Sequence, residues 1–264
     1  MAALHVNYRF VVDFCKRTSP GGRILDYGRG SGEIVRAGLA AGVDISGCET
    51  FYAGGHGVES AVQDLLGIRI FKMENGTIPF PPESFDCVVN NQVFEHVEDL
   101  DFVLSEIRRV LKRDGVLLSM FPSEDVVREG HCGVPLAHRF SKYPRFGYYW
   151  LLLGRLLGFG YHKKGMPARQ WARNFQHWLN HYCTYRSRHA IMVAFQRHGL
   201  PAQGIEEEYI RFRGLRLFTP WMLRKLGGMV LKSIKVQLTA ASAPAPMVSF
   251  RIAGDDLSQR QSQS

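Results

Sequence analysis

The chain has 264 residues, 45% of them hydrophobic, and a formal net charge of +9. That is enough apolar material for one large core, and no linker or internal repeat divides it, which excludes a disordered or modular chain. Five cysteines, Cys15, Cys48, Cys87, Cys132 and Cys183, stand singly without a C-x-x-C pair; they read as buried thiols of a reducing, cytoplasmic setting and exclude a disulfide framework. The first 17 residues lack a cationic start followed by a long apolar run, so no signal peptide is expected.

In chain order, the first informative stretch is Arg23-Ile24-Leu25-Asp26-Tyr27-Gly28-Arg29-Gly30-Ser31-Gly32-Glu33. A short apolar run ends in an acid and breaks into alternate glycines, the pattern of a strand that turns tightly into a helix. Glycine suits such a turn because it tolerates positive φ and lets a ligand approach bare backbone. The G-x-G-x-G spacing differs from the dinucleotide fingerprint, and Asp26 would repel a pyrophosphate, so NAD is not the expected ligand. A helix follows from Gly32 to Ala41, then a second strand over Val43–Glu49. Glu49 lies 21 positions beyond Gly28, where an acid can accept hydrogen bonds from both ribose hydroxyls.

Ile68–Lys72 predicts a third strand, and Cys87–Asn90 a fourth of the buried type. From Asp99 to Lys112 the spacing of Val103, Leu104, Ile107, Val110 and Leu111 predicts a helix packed on a sheet, stopped by Asp114-Gly115. Val116–Phe121 predicts strand five, Tyr185–His198 a helix capped by Gly199, Ile205–Phe212 strand six and Pro246–Ile252 an antiparallel strand seven, with a polar tail over 254–264.

The series ILDYGRGSGE, GCE, IPFPPESFDCVVNNQVFEHV and EIRRVLKRDGVLL, in order from about residue 23 to 122, resembles the class I S-adenosylmethionine-dependent methyltransferases. Within them it resembles the type-11 group that includes quinone-biosynthesis enzymes. The resemblance implies an α/β, Rossmann-like seven-stranded sheet sandwiched by helices in one domain over residues 1–253, with an antiparallel seventh strand and helical insertions after strand five and between strands six and seven. It implies S-adenosylmethionine as cofactor. Asp26 and Gly28 would face the methionine amino group, Gly30 the nearby backbone, Gly32 would let the helix pack, and Glu49 would bind the ribose. Glu74 stands where the family usually has Asp on the adenine amino group, Asn75 would contact the ring through its backbone, and Asn90 would lie beside the methionine moiety. Glu95-His96 belongs to the same pattern; it is placed either near the methyl group or, for Glu95, as an anchor of the next helix.

Charge divides the chain. Up to His138 the net charge is −6, from Arg139 onward it is +15, and no acid occurs between Glu129 and Glu206. The second half therefore faces something anionic. It holds two apolar stretches, Phe146–Tyr161, flanked by Lys142, Arg145, Lys163 and Lys164, and Leu217–Leu238. The first is too short to span a bilayer and contains Arg155; the segments 139–180 and 214–240 read as interfacial helices, as a lid, or, for the first, as a core helix.

A general base is needed if the methyl acceptor is a hydroxyl or a protonated amine. Arg128–Arg139, just after strand five, supplies His131 as first candidate, with His138 and Arg139 to orient substrate; hydrogen bonding within the loop is the plainer role for these histidines. His131, Cys132 and His138 lack a fourth ligand at a recognised spacing, so no metal is expected of them. The sequence reading is thus O-methylation of an anionic, lipid-linked or apolar small molecule by a cytoplasmic enzyme that is peripheral on the inner membrane face. A soluble sugar or small-molecule enzyme with a lid is the first rival. A nucleic-acid-binding protein that keeps the cofactor fold is the second, weakened by the absence of an RNA-binding motif and of an Asn-Pro-Pro-Tyr-type sequence.

Overall fold

The computed structural model describes residues 4–28, 30–51, 59–163, 165–214 and 232–238. Its centre is a seven-stranded sheet in the order β3-β2-β1-β4-β5-β7-β6. β1 (Arg23–Tyr27), β2 (Asp44–Glu49), β3 (Ile70–Lys72), β4 (Phe85–Asn91) and β5 (Leu111–Phe121) run parallel. β7 (Lys232–Gln237) is antiparallel to both β5 and β6 (Ala202–Gly204). This is the Rossmann-like sandwich that the resemblance implies.

Alternation along the strands builds two cores, as expected of a parallel sheet covered on both faces. Leu25, Val88 and Leu117 pack with α3 (Leu100–Val110) and α7 (Arg188–Arg197) through Leu104, Ile107 and Phe195. Ile24, Val89 and Leu118 pack on the other face with α1 (Val6–Thr18), α2 (Glu33–Ala40) and α8 (Glu206–Phe212) through Phe10, Phe14, Val35 and Tyr209. α3 and α7 start on side-chain caps: Asp99 Oδ1 accepts from Phe102 N at 2.9 Å, and Ser187 Oγ accepts from Ala190 N at 3.1 Å.

Three expectations need correction. Ile205–Phe212 is not strand six but enters and forms α8, because Ile205, Tyr209 and Phe212 recur at helical spacing on the core and three acids, Glu206 to Glu208, fill the positive first turn. Strand six is the short, largely exposed Ala202–Gly204. Strand seven is Lys232–Gln237, inside the stretch read as an insertion, with Ile234 and Val236 buried against β5. Pro246–Ile252 and the tail lie outside the described residues. Asp114-Gly115 does not stop the helix either: α3 ends at Val110, and these residues sit in a bulge of β5, where Phe85 pairs with Leu111 but Cys87 with Val116. Lys112 Nζ bonds both Asp86 oxygens at 2.8 and 2.9 Å, which pins the bulge to β4.

After β5 the chain leaves the sheet and forms a smaller unit from α4 (Ala137–Phe140), α5 (Pro144–Leu156) and α6 (Ala168–Tyr182), with Cys132, Leu151, Trp171 and Leu179 buried at its centre. α5 turns one face, Gly147, Leu151 and Gly154, into that cluster, as a core helix does. Its opposite face, Phe146, Tyr149, Leu153 and Leu156, is exposed, as an interfacial helix requires. The segment after α6 returns along the loop that follows β4. Thr184 N donates to Glu95 O at 2.6 Å, and the Arg186 guanidinium donates to the carbonyls of Phe94, Val97, Glu98 and Thr184 at 2.6–3.2 Å.

Arg186→Leu leaves those carbonyls without their shared cationic donor. It is expected to lower unfolding free energy by about 2–3 kcal/mol in urea titrations, with hydrogen-exchange protection lost first at residues 94–98.

Candidate active site

A cavity of about 800 Å³ opens at the carboxyl ends of β1, β2 and β4. One side is the glycine turn. Gly28 has φ +69°, its N–H donates to Cys48 O at 3.0 Å, and a Cβ there would stand 2.6 Å from Val93 Cγ2. Gly30 has φ +55° and faces open space, so a side chain at this position would project from a backbone that now lies bare at the cavity wall. Its N–H donates to Glu49 Oε2 at 3.0 Å, while Glu49 Oε1 accepts from Thr50 N at 2.9 Å. Glu49 is buried in the cavity wall with carboxylate lone pairs to spare, the donor-hungry group that a vicinal diol satisfies. Phe51, Met73, Phe102 and Val103 add apolar walls suited to a planar base.

The residues expected from sequence divide accordingly. Gly28, Gly30, Glu49 and His131 line the cavity. Asp26 is buried at the end of β1 and does not reach the cavity surface, and Gly32, φ +78°, is the N-cap of α2. Glu74 and Asn75 form a tight turn with Thr77 N on Glu74 O at 2.9 Å; their neighbours Met73 and Gly76, not they, reach the cavity. Asn90 is fully buried and donates to Ser119 Oγ at 2.8 Å, so Asn91 and Gln92 present themselves in its place. His138 is also away from the cavity: its Nε2 meets Glu124 O at 2.9 Å, its ring packs 4.6 Å from Tyr185, and burial lowers its pKa. Arg139 Nε donates to the same carbonyl at 2.9 Å, so both residues hold the loop.

The far end of the cavity is a cluster of imidazoles and carboxylates. His131 Nδ1 donates to Glu129 Oε1 at 2.6 Å, and the same carboxylate accepts from the backbone of His131 (2.9 Å) and Cys132 (2.5 Å) and from Tyr185 Oη (2.6 Å). Burial opposes charge on Glu129, but these donors outweigh it and hold the carboxyl well below its usual range; in turn, against its own burial, His131 is raised by Glu129 and Glu95. His96 Nδ1 donates to Tyr182 O at 2.6 Å, and its ring centroid is 5.1 Å from that of His131. Glu95 is buried with neither carboxylate oxygen hydrogen-bonded, and burial pushes its carboxyl up to about 7. Trp178 of α6 closes over both imidazoles, at 4.6 Å from His131 and 5.7 Å from His96. Glu129, Tyr185 and Trp178 escape sequence reasoning; the only local signal is the Glu129-Gly130-His131 spacing.

Together, the bare glycine turn, the acid ending the next strand and the apolar base pocket define a nucleoside-type cofactor site on a Rossmann-like sheet, joined to a histidine-lined chamber. Residues 25–119 match a family model described as a methyltransferase domain. Among curated relatives, a protein of Rhizobium leguminosarum named ubiquinone/menaquinone biosynthesis C-methyltransferase UbiE is 33% identical over 147 residues, 50% of this chain and 53% of that protein. An uncharacterised methyltransferase of Bacillus subtilis, YcgJ, is 31% identical over 112 residues, 40% and 43% of the two chains. The chain spans about half the length of the curated relatives it matches. The crystal structure of YcgJ superposes with TM-score 0.50 at 16% identity, covering 88% of this chain and 97% of that one. An S-adenosylmethionine-dependent methyltransferase from Mesorhizobium loti gives 0.52 at 13%, covering 88% and 98%. Residues 25–119 thus match a methyltransferase domain, set in a sheet of the kind that S-adenosylmethionine-dependent methyltransferases share, and S-adenosylmethionine is the cofactor that this likeness indicates.

We propose that Glu49 holds the ribose of that cofactor and that the backbone of Gly28 and of Gly30 faces its methionine end. Glu49→Ala should weaken S-adenosylmethionine binding by about 1.5–3 kcal/mol, read by calorimetry; unchanged affinity would move the ribose contact to another residue.

Proposed function

We propose that the chain methylates an oxygen of an anionic, partly apolar small molecule, such as a lipid-linked intermediate or a quinone-like phenol, presented at the cytoplasmic face of a membrane. The observation that carries this reading is the exposed apolar face of α5. Phe146, Tyr149, Leu153 and Leu156 form one stripe with exposed Lys142 and Arg145 at its start, in a half of the chain that has no acid from residue 130 to 205. The face opposite that stripe packs on α6, which carries Phe175 and Trp178 into the cavity. A route from an anionic, greasy surface to the histidine-lined chamber is therefore short in terms of connected structure. No helix among the described residues is long and apolar enough to cross a membrane, so contact by a helix lying in the interface is the form this reading takes.

S-adenosylmethionine supplies an electrophilic methyl group on a good leaving group, which leaves the protein to position the acceptor, exclude water and handle one proton. The chain meets the first two needs with Val93, Phe175 and Trp178 around the chamber. A chamber lined by His96 and His131 favours an ionisable acceptor, which supports oxygen over carbon. The R. leguminosarum relative is named for carbon methylation in ubiquinone and menaquinone biosynthesis, which supports an apolar ring acceptor but not the atom.

Two outcomes test the reading. The protein should co-sediment with vesicles containing acidic phospholipid and be released by high salt, while neutral vesicles retain little. Tyr149→Ser/Leu153→Ser should abolish retention without changing cofactor affinity; equal recovery in the supernatant with both vesicle types would favour a soluble lid, and preferential RNA binding the nucleic-acid reading. With radiolabelled S-adenosylmethionine and a membrane-lipid extract as acceptor, His131→Ala should lower transfer by on the order of 10²–10⁴ while cofactor affinity persists. A fully active variant would remove His131 from the chemistry.

A further inference from the structure

The histidine end of the cavity contains a buried carboxylate that no hydrogen bond among the described residues explains. Neither oxygen of Glu95 has a hydrogen-bond partner, and the side chain has lost essentially all contact with water. Leaving such a group unsatisfied is costly, and native proteins do so chiefly where a proton, an ion or a ligand completes the site. Glu95, His96 and His131 each offer a ligand atom, and these atoms lie within 4.8 Å of one another.

Two further features distinguish this cluster from a chance meeting of polar side chains. Each imidazole has its Nδ1 held by a strong acceptor, His131 by Glu129 Oε1 and His96 by Tyr182 O, both at 2.6 Å. Fixing one ring nitrogen sets the tautomer and orients the ring, which is how outer-sphere carboxylates and carbonyls prepare histidine ligands. Both imidazoles also line the cavity while Glu95 lies buried behind them, so an ion among the three has open coordination positions toward the acceptor chamber.

We propose that Glu95, His96 and His131 bind a divalent first-row transition-metal cation of the zinc type at the acceptor end of the cavity. Two imidazole nitrogens and one carboxylate suit such borderline cations, whereas magnesium and calcium prefer all-oxygen shells. The site goes beyond the motif weighed from sequence, because His138 faces Glu124 and Cys132 is enclosed in the α4–α6 cluster; only His131 is shared. It deepens the proposed function and rests on it only for its purpose: an acceptor hydroxyl held by the cation would ionise near neutral pH, its proton passing to water in the cavity. His131 then acts as a ligand in place of a free base.

The test is calorimetry of Zn²⁺ into the chelator-stripped full chain, with S-adenosylmethionine titrated separately. About one equivalent of Zn²⁺ is expected to bind. Glu95→Gln, which keeps the volume and removes a ligand charge, and His131→Ala should each weaken binding by about 100-fold, and Glu129→Gln by about 10–100-fold through the orientation of His131. Thermal melts of each variant distinguish ligand loss from unfolding, and Glu95→Gln is expected to melt no lower than the parent because it relieves a buried charge. His177 and His181, an exposed pair one helical turn apart on α6, are the competing place for adventitious zinc. His177→Ala/His181→Ala should leave the tight equivalent intact. Absence of stoichiometric binding, binding unchanged in Glu95→Gln, or loss in the His177/His181 variant would each overturn the site. Cofactor affinity should persist in Glu95→Gln; its absence in the parent chain would instead overturn the proposed function and leave the metal result standing on its own.

Discussion

The Glu129 carboxylate, fully enclosed and accepting from two backbone amides, one imidazole and one phenol, is the constraint on which the acceptor half of this molecule depends. A parallel sheet with buried strands supplies only half of a two-substrate site. The glycine turn and Glu49 come almost automatically from the carboxyl ends of β1 and β2, because backbone amides and strand-end side chains must emerge there. No such necessity brings the loop after β5, the segment after α6 and the loop after β4 to one place. The buried Glu129 charge does part of this: three of its donors come from His131 and Cys132 and set the shape of its own loop, while Tyr185 ties that loop to the segment after α6, and losing any one would leave the carboxylate under-satisfied in a medium that punishes it. Arg186 performs the complementary task with the opposite charge, gathering carbonyls from residues 94, 97, 98 and 184.

That difference in origin explains what could be read from the sequence. β1, β2, β4 and α3 were legible because their burial is written as local periodicity, and the cofactor turn because glycine at positive φ is a local requirement. The last third was misread for an equally physical reason. Ile205–Phe212 satisfies a two-residue alternation almost as well as a helical repeat, and only its packing on Phe10, with Tyr209 5.3 Å away edge-on, decides between them. Ala202–Gly204 has too little apolar content to announce a strand, and Lys232–Gln237 has only Ile234 and Val236 as apolar residues beside two lysines, so that it resembles a cationic helix as much as a strand beside β5. In the site itself, Glu74, Asn75 and Asn90 missed the cavity by a single position each. Which of two adjacent residues faces a ligand is set by the local turn, here φ +51° at Asn75 and +56° at Gln92, and composition does not encode it.

The charge asymmetry now has a structural address. The sheet half is mildly acidic and its ion pairs are local, as with Arg36 on Asp64 and Lys112 on Asp86. α5 and α6 carry no acid of their own, and cations along them bond carbonyls or lie by aromatic rings: Lys163 Nζ, between the two helices, reaches Gly158 O at 2.6 Å, and Arg173 lies 5.9 Å from the Tyr148 ring. α5 seats Gly147, Leu151 and Gly154 deepest, which holds it close to its neighbours, and packs Tyr148, Trp150 and Leu152 along the flanks of that contact. Phe146, Tyr149, Leu153 and Leu156 remain as an exposed apolar stripe, more than the helix needs for its own packing.

The two halves meet at Glu95, and its environment shows how the fold divides labour between stability and chemistry. Glu106, another buried acid on the same side of the sheet, is satisfied by Arg109 at 2.7 Å and by Ile78 N at 2.9 Å, and its carboxyl is correspondingly held below the normal range. Glu95 receives neither kind of partner, and burial raises it instead. The same residue type, buried in the same domain, is thus stabilised in one place and left strained in the other. Folding alone gains nothing from the second arrangement, since an apolar side chain of similar volume would fill that space without the desolvation penalty. What the carboxylate adds is an ionisable group behind two oriented imidazoles at the cavity wall, where it shares an electrostatic interaction with His131 that an apolar side chain would not provide.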